Sequence, residues 1–346
     1  MPGGQHTWQE IMSQPAAWQD ALGAFRALRE KFAAFWMEAA PDQVIVTGCG
    51  STYYLALTAA RLLRRSGVDA SACPASELLL NIDAICAPGR RYLLLTLSRS
   101  GTTSETVRAQ ERFKSRVGAS VITVTCASSS PLAGGADLAF AIDAAQEKSV
   151  AQTRSFSSMA VIVQQMAAQL AGRRLTDSSQ LPAVCTQLLE SHAGLARALA
   201  ENAAIEKFFF LGMDALYGIA CEAMLKMKEM SLSYSEAYHS LEFRHGPMSM
   251  VGEDSLVIGL ISPEAARHEI RVLNDMADMG ATVLAIAQTR IENHQTVRLP
   301  ADLPGWCTPV LYLPVLQLLA CHRALVKGCD PDKPHNLSAV VSLDDI

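Results

Sequence analysis

Three charged residues, Glu222, Lys226 and Glu229, stand four and three apart within one largely apolar stretch that also holds Lys228. In a helix these spacings put all three on one face. Such a face is either a solvated ion-pair stripe or a device for moving a proton, and spacing alone leaves both open. Directly downstream, the segment Glu236-Ala237-Tyr238-His239-Ser240-Leu241-Glu242-Phe243-Arg244-His245-Gly246-Pro247 is dense in titratable groups. Gly246-Pro247 should break any helix there. A histidine in such a turn, near a carboxylate-bearing helix, is an acid/base candidate. No H-E-x-x-H motif or Cys/His cluster points to a metal.

A different chemistry is written at LSRSGTTSET, residues 97–106, where six of ten side chains carry a hydroxyl directly after an apolar run. One hydroxyl suffices to cap a helix. Six, with a glycine that lets the backbone come close, suit an anion at a helix N-terminus. Ser98, Ser100 and Thr103 are the candidate phosphate donors. The earlier turn, Gly48-Cys49-Gly50-Ser51-Thr52, lacks the third glycine of a dinucleotide fingerprint because position 53 is Tyr53. No acidic residue ends the following strand to hold a ribose, and no G-x-x-x-x-G-K-[ST] motif occurs. The expected ligand is therefore a phosphorylated small metabolite. The corresponding turn in the second half, around Ser262-Pro263-Glu264, reads as a plain helix start, so one phosphate site per chain is expected, in the first half.

The elements that must position these groups alternate between strand and helix. Helical spacing runs over residues 8–38, interrupted at Pro15. Apolar runs at 43–47, about 70–73, 91–98 and 119–125 read as strands, with helices after the first and after the hydroxyl turn. The second half repeats the order: strand 207–212 ending in glycine, helix about 215–230, strand 255–261, helix 264–279, strand 281–287. Apolar strands without period-two alternation, interleaved with helices, predict an α/β protein with parallel sheets covered on both faces. The spacing indicates an internal duplication. The expected domains are a helical segment over 1–35, a first domain with the phosphate site over 36–175, and a second over 176–346, with the seam near Thr176–Gln180 and Pro182.

Composition narrows the class. Half of the 346 residues are hydrophobic, 18% are charged and the net charge is −5, which gives no electrostatic footprint for nucleic acid. Nine scattered cysteines, an odd number without a C-x-x-C pair, suit unpaired thiols in a reducing cytosol. The N-terminus lacks a signal-peptide pattern, and no run of about 20 apolar residues is present, so a cytoplasmic protein away from membranes is expected.

Taken together, TWQEIMSQP, TGCGSTYYLA, LSRSGTTSET, EKSVAQTRSF, LKMKEMS, EFRHGP and DPDKPHNL resemble the SIS (sugar isomerase) family in its double-domain form. That form includes the isomerase half of glucosamine-6-phosphate synthase, amino-sugar-6-phosphate deaminases and ketose/aldose isomerases of the tagatose-6-phosphate type. The resemblance implies two tandem SIS domains, each a flavodoxin-like three-layer sandwich, and a role in carbohydrate metabolism. It implies a hexose 6-phosphate substrate, no cofactor, and a homodimer with shared active sites. Thr52, Ser98, Ser100 and Thr103, with Ser51, match its phosphate-binding positions. Val150 and Ala151 match a segment whose backbone lines the sugar. Glu229 matches the carboxylate that moves a proton between C1 and C2, Lys226 an active-site lysine, and His245 a ring-opening histidine supplied by the neighbouring subunit. The expected reaction is deamination of an amino sugar phosphate through an enolamine. Plain aldose–ketose isomerisation and a non-catalytic sugar-phosphate regulator are the alternatives. The match begins at the linker before the isomerase half, so glutamine-dependent amination is not expected. The tail lysine that forms a Schiff base in the synthase corresponds to Ala339, with Lys333 nearby.

Overall fold

In the computed structural model, which describes residues 3–338, the apolar runs become parallel strands in two five-stranded sheets. The first half runs α1 (Gln5–Met12), α2 (Gln14–Ala39), β1 (Gln43–Gly48), α3 (Ser51–Arg65), β2 (Ala70–Pro74), α4 (Ala75–Leu80), α5 (Ile82–Ile85) and β3 (Tyr92–Ser98). It continues with α6 (Ser104–Val117), β4 (Ser120–Thr125), α7 (Pro131–Gly134), β5 (Leu138–Ala141) and α8 (Arg154–Leu170). The second half runs α9 (Leu181–Glu201), β6 (Lys207–Gly212), α10 (Ala215–Ser231), β7 (Tyr234–His239), β8 (Ser255–Leu260), α11 (Ala266–Asp278), β9 (Thr282–Ala287), β10 (Gln295–Arg298) and α12 (Pro314–Val326). Contacts gather residues 13–147 and 154–179 into one unit, and residues 3–12, 148–153 and 180–337 into another.

The first-sheet unit has strand order β2-β1-β3-β4-β5. All seven residues of β3 are buried, which is why its sequence shows no alternation. On one face Ile45, Leu94 and Val121 pack with Phe113 of α6 and Leu78 of α4. Elsewhere in the same unit Phe25 of α2 stacks on Phe140 of β5 at 5.6 Å between ring centres. Pro15 lies in the first turn of α2, where a missing N–H costs nothing, so it starts that helix rather than breaking one. Helix α6 has Glu105 in its first turn and Lys114 and Arg116 in its last, all favourable to its dipole, and ends at Gly118 with φ +66°.

The second-sheet unit has strand order β7-β6-β8-β9-β10, the same topology. The duplication extends to backbone detail. A Cβ on Gly48 would meet Thr52 at 2.6 Å, and one on Gly212 would meet Leu216 at 2.5 Å, so each strand ends where a helix crosses too closely for a side chain. The residue before each helix has the same unusual conformation, φ 55° and ψ −125° at Gly50, φ 51° and ψ −125° at Asp214. The stretch Pro309–Val326 has the length and hydropathy of a membrane span, but 83% of it is buried, so its apolarity serves the core.

Two sequence expectations change here. Residues 236–239, read as part of a titratable turn, belong to edge strand β7, which pairs in parallel with β6. Ser262-Pro263-Glu264 is not the start of α11, which begins at Ala266. The Ser262 hydroxyl instead accepts the Ala265 N–H at 3.3 Å and donates to the Glu269 carboxylate at 2.8 Å.

Candidate functional site

In the first-sheet unit, the two turns singled out in the sequence follow β1 and β3, which are neighbours in the sheet. Strand order reverses direction between them, and open parallel sheets bind ligands in that crevice. At the first turn, Ser51 and Thr52 are buried in the opening turn of α3. The Thr52 hydroxyl donates to the Cys49 carbonyl at 2.9 Å and accepts the Cys49 N–H at 2.9 Å, which closes the loop tightly. Burial pushes the Cys49 thiol up, away from the reactive thiolate.

At the second turn, Ser98 Oγ accepts the Gly101 N–H at 3.0 Å, and Ser100 Oγ accepts from the N–H and the hydroxyl of Thr102 at 3.2 and 3.0 Å. A hydroxyl that accepts keeps its own hydrogen to donate. Thr103, the N-cap of α6, makes no side-chain capping bond. The cluster is therefore not consumed by helix capping. Gly101 has φ +64°, and a Cβ there would lie 2.1 Å from Ser130 Oγ, so the turn requires glycine twice over. Sequence reading passed over Arg99, which is 6% exposed within this turn. Its guanidinium faces the buried Glu147 carboxylate at 3.9 Å, and Glu147 also accepts from the Ser155 hydroxyl. A long-range partner like Glu147 leaves no local signal by which Arg99 could have been found.

In the second-sheet unit, α10 carries the charged triplet. Lys226 Nζ lies 2.5 Å from Glu229 Oε2 and 3.4 Å from Glu222 Oε1. The Lys226 and Glu222 side chains are 1% and 0% exposed, while Glu229 keeps 20%. A solvated stripe is thus excluded for the first two. Burying two charges, with a third only partly exposed beside them, is expensive and does little for stability, so such an array points to chemistry. His245 is exposed, next to a 3-10 turn over Glu242–Arg244. Among the described residues its ring makes no hydrogen bond or ion pair with the α10 triplet.

Val150 and Ala151 lie on a loop of the same unit that is braced at several points. Glu10 of α1, 3% exposed, accepts the Lys148 N–H at 2.5 Å, the Ser149 N–H at 3.3 Å and the Ser149 hydroxyl. Ser149 Oγ also bonds the Ala151 carbonyl at 3.0 Å. The Val150 N–H donates to the Asp332 carbonyl at 3.0 Å, and the Asp332 carboxylate accepts the backbone N–H groups of His6 and Thr7. Ala339 lies outside the described residues, and Lys333 is exposed. Among the described residues no group of three or more His, Cys, Asp or Glu is arranged to hold a metal ion.

These features have relatives. Over 97% of its length the chain is 29% identical to the glutamine–fructose-6-phosphate aminotransferase (isomerizing) of Pyrococcus horikoshii, and it spans 57% of that protein. The fold matches that of a glucosamine-6-phosphate deaminase from Thermotoga maritima with TM-score 0.79 and 28% identity, covering 98% of this chain and all of the other. It matches a tagatose-6-phosphate ketose/aldose isomerase from Escherichia coli with TM-score 0.87 and 25% identity, covering 96% of each. The model of the SIS domain matches residues 39–169 and 203–321, one copy around each sheet. Duplicated topology, a hydroxyl-lined turn at the strand-order switch and the two matched segments agree: the chain belongs to the SIS domain family.

Proposed function

We propose that this chain is a phosphosugar isomerase-type SIS enzyme that converts an amino sugar 6-phosphate to a ketose 6-phosphate and ammonia. The observation that carries the reading is the α10 array: a buried lysine between two carboxylates, of which only Glu229 is partly open to a ligand. The phosphate is assigned to Ser98, Ser100 and Thr103, with Ser51 and Thr52 of the turn after the neighbouring strand. His245, from the neighbouring subunit of a homodimer, helps open the sugar ring. Glu229 takes the proton from C2 of the open-chain aldose and returns it to C1, by way of an enolamine. The product is a C2 imine, and water adds at C2 as ammonia leaves. Lys226 holds the Glu229 carboxylate and offsets its charge.

Likeness to both a deaminase and a ketose/aldose isomerase supports a second reading, in which the same proton shuttle acts on an unsubstituted sugar phosphate. The nine free thiols suit a cytosolic enzyme. The deciding assay measures ammonia and ketose phosphate together, with glucosamine 6-phosphate and galactosamine 6-phosphate. Both products in equal amounts are expected, and the faster sugar fixes the stereochemistry. Turnover of tagatose 6-phosphate without ammonia from either amino sugar would favour the second reading. Binding without turnover of any of the three would make the chain a sugar-phosphate sensor.

A further inference from the structure

The duplicated second sheet has its own strand-order switch, between β6 and β8, and the crevice there is not built like the first one. Where the first unit has Gly50 and Thr52, the second has Asp214 and Leu216, in matching positions after matching strands. Beyond β8 the Ser262 N–H and the Ser262 hydroxyl both point at one oxygen of Glu269, each at 2.8 Å. Beyond β7 the Ser240 hydroxyl points at the other oxygen, at 3.1 Å. Ser240, Ser262 and Glu269 are 2%, 7% and 1% exposed. Two hydroxyls and a backbone amide converging on two oxygens make the donor pattern of a small oxyanion site. The anion in it belongs to the protein.

We propose that the second unit retains an anion crevice at Ser240 and Ser262, that the side chain of Glu269 occupies it, and that removing this side chain opens it to a small tetrahedral oxyanion such as phosphate. The carboxylate reaches the crevice from the first turn of α11, so the occupant and the helix N-terminus that would otherwise attract a ligand come from one element. This accounts for a duplicated protein with a hydroxyl-rich phosphate turn in the first unit and a single serine in the second. It rests on the first-unit phosphate reading only for the comparison between the two crevices.

The test uses Glu269→Ala in the full chain, with inorganic phosphate as probe and chloride at equal ionic strength as control. Thermal midpoints are compared for wild type, E269A, E269Q and the double variant E269A/S262A. Phosphate is expected to raise the E269A midpoint more than that of wild type. E269Q, whose amide fills the crevice, and E269A/S262A, which lacks the Ser262 hydroxyl, should show only the wild-type response. Formate should also raise the E269A midpoint, because it restores the missing carboxylate. Equal phosphate responses in all four proteins would overturn the inference. A wild type without any phosphate response would count against the first-unit cradle and leave the difference between E269A and wild type readable. If E269A does not fold in chloride, the same series is run on Glu269→Ser, and equal midpoints there in phosphate and chloride would overturn the proposal.

Discussion

Gly101 offers a test in which two costs can be separated. Its φ of +64° is nearly that of Gly118, at +66°, yet a Cβ at Gly118 would meet nothing within 4 Å while one at Gly101 would lie 2.1 Å from Ser130 Oγ and 2.4 Å from Ser130 Cβ. Alanine in the left-handed region costs about 1–2 kcal/mol. Forcing a methyl into filled space adds about 1–3 kcal/mol. Gly118→Ala should therefore lose about 1–2 kcal/mol and Gly101→Ala about 2–5 kcal/mol. Urea unfolding of the two variants, followed by fluorescence, measures the difference. Ser130→Gly removes the clashing atoms but also the hydroxyl that bonds the Ala127 carbonyl at 2.7 Å, so a double-mutant cycle is needed. G101A/S130G should recover most of the excess loss. If G101A and G118A cost the same, or if the cycle shows no coupling, the close packing of the hydroxyl turn against Ser130 does not govern its shape. Phosphate affinity adds a functional readout: G101A should weaken it and G118A should not.

Glu229→Gln keeps the shape of the proposed proton carrier and removes its basicity, so kcat with the amino sugar phosphate should fall roughly 10²–10⁴-fold with little change in thermal midpoint. Lys226→Met removes the cation facing both carboxylates and should destabilise the chain by about 3–5 kcal/mol in denaturant titration, a penalty that Glu229→Gln should not share. Asp42 is held down to about 2 by the side-chain hydrogen bond from Arg91, helped by the Arg91 N–H. Its folded pKa lies below its ordinary value of 3.8, so its contribution is complete above that pH and fades as the pH falls toward 2. The stability difference between wild type and Asp42→Asn should shrink over that window and stay constant at neutral pH. Cys49, Cys86 and Cys329 are partly exposed and the other six cysteines buried, with burial pushing Cys73 and Cys86 up to about 11. Ellman's reagent at neutral pH should reach at most those three before unfolding, and prompt reaction of more would contradict the packing.

Most strands legible in the sequence were flanked on both sides, such as Tyr92–Ser98 and Lys207–Gly212, and edge strand β2 (Ala70–Pro74) was legible beside them. Those missed, β5, β7 and β10, are all sheet edges. β5 and β10 are only four residues long. β7 reads Tyr-Ser-Glu-Ala-Tyr-His, and its Glu236 is bonded by the hydroxyls of Tyr234 and Tyr238, an arrangement that looks like a polar turn until a neighbouring strand is known. The hydroxyl turn was legible because its bonds are local, three residues apart or fewer. The triplet on α10 was legible as a face, but whether that face was wet or dry depended on packing. The Glu10 bonds to residues 148 and 149 were not legible, since they join positions 138 and 139 apart with no motif to announce them. Glu269 escaped for a subtler reason: Ser-Pro-Glu so closely fits a helix start that nothing prompted a search for an acid one turn later.

The interleaving of the two units bears on how the chain is made. Thr7 of α1 is bonded to Asp332, 325 residues later, and both belong to the second-sheet unit. At a synthesis rate of about 5–20 residues per second, α1 leaves the ribosome roughly 15–65 seconds before its docking partner exists. The first-sheet strands, by contrast, are all made by residue 141 and can pair meanwhile. Until the segment around His322 and Asp332 is made, α1 carries Trp8 and Ile11 without their final neighbours, a short apolar surface on the nascent chain. A cell that makes this protein must shield that surface, or tolerate it, until residue 332 has been made.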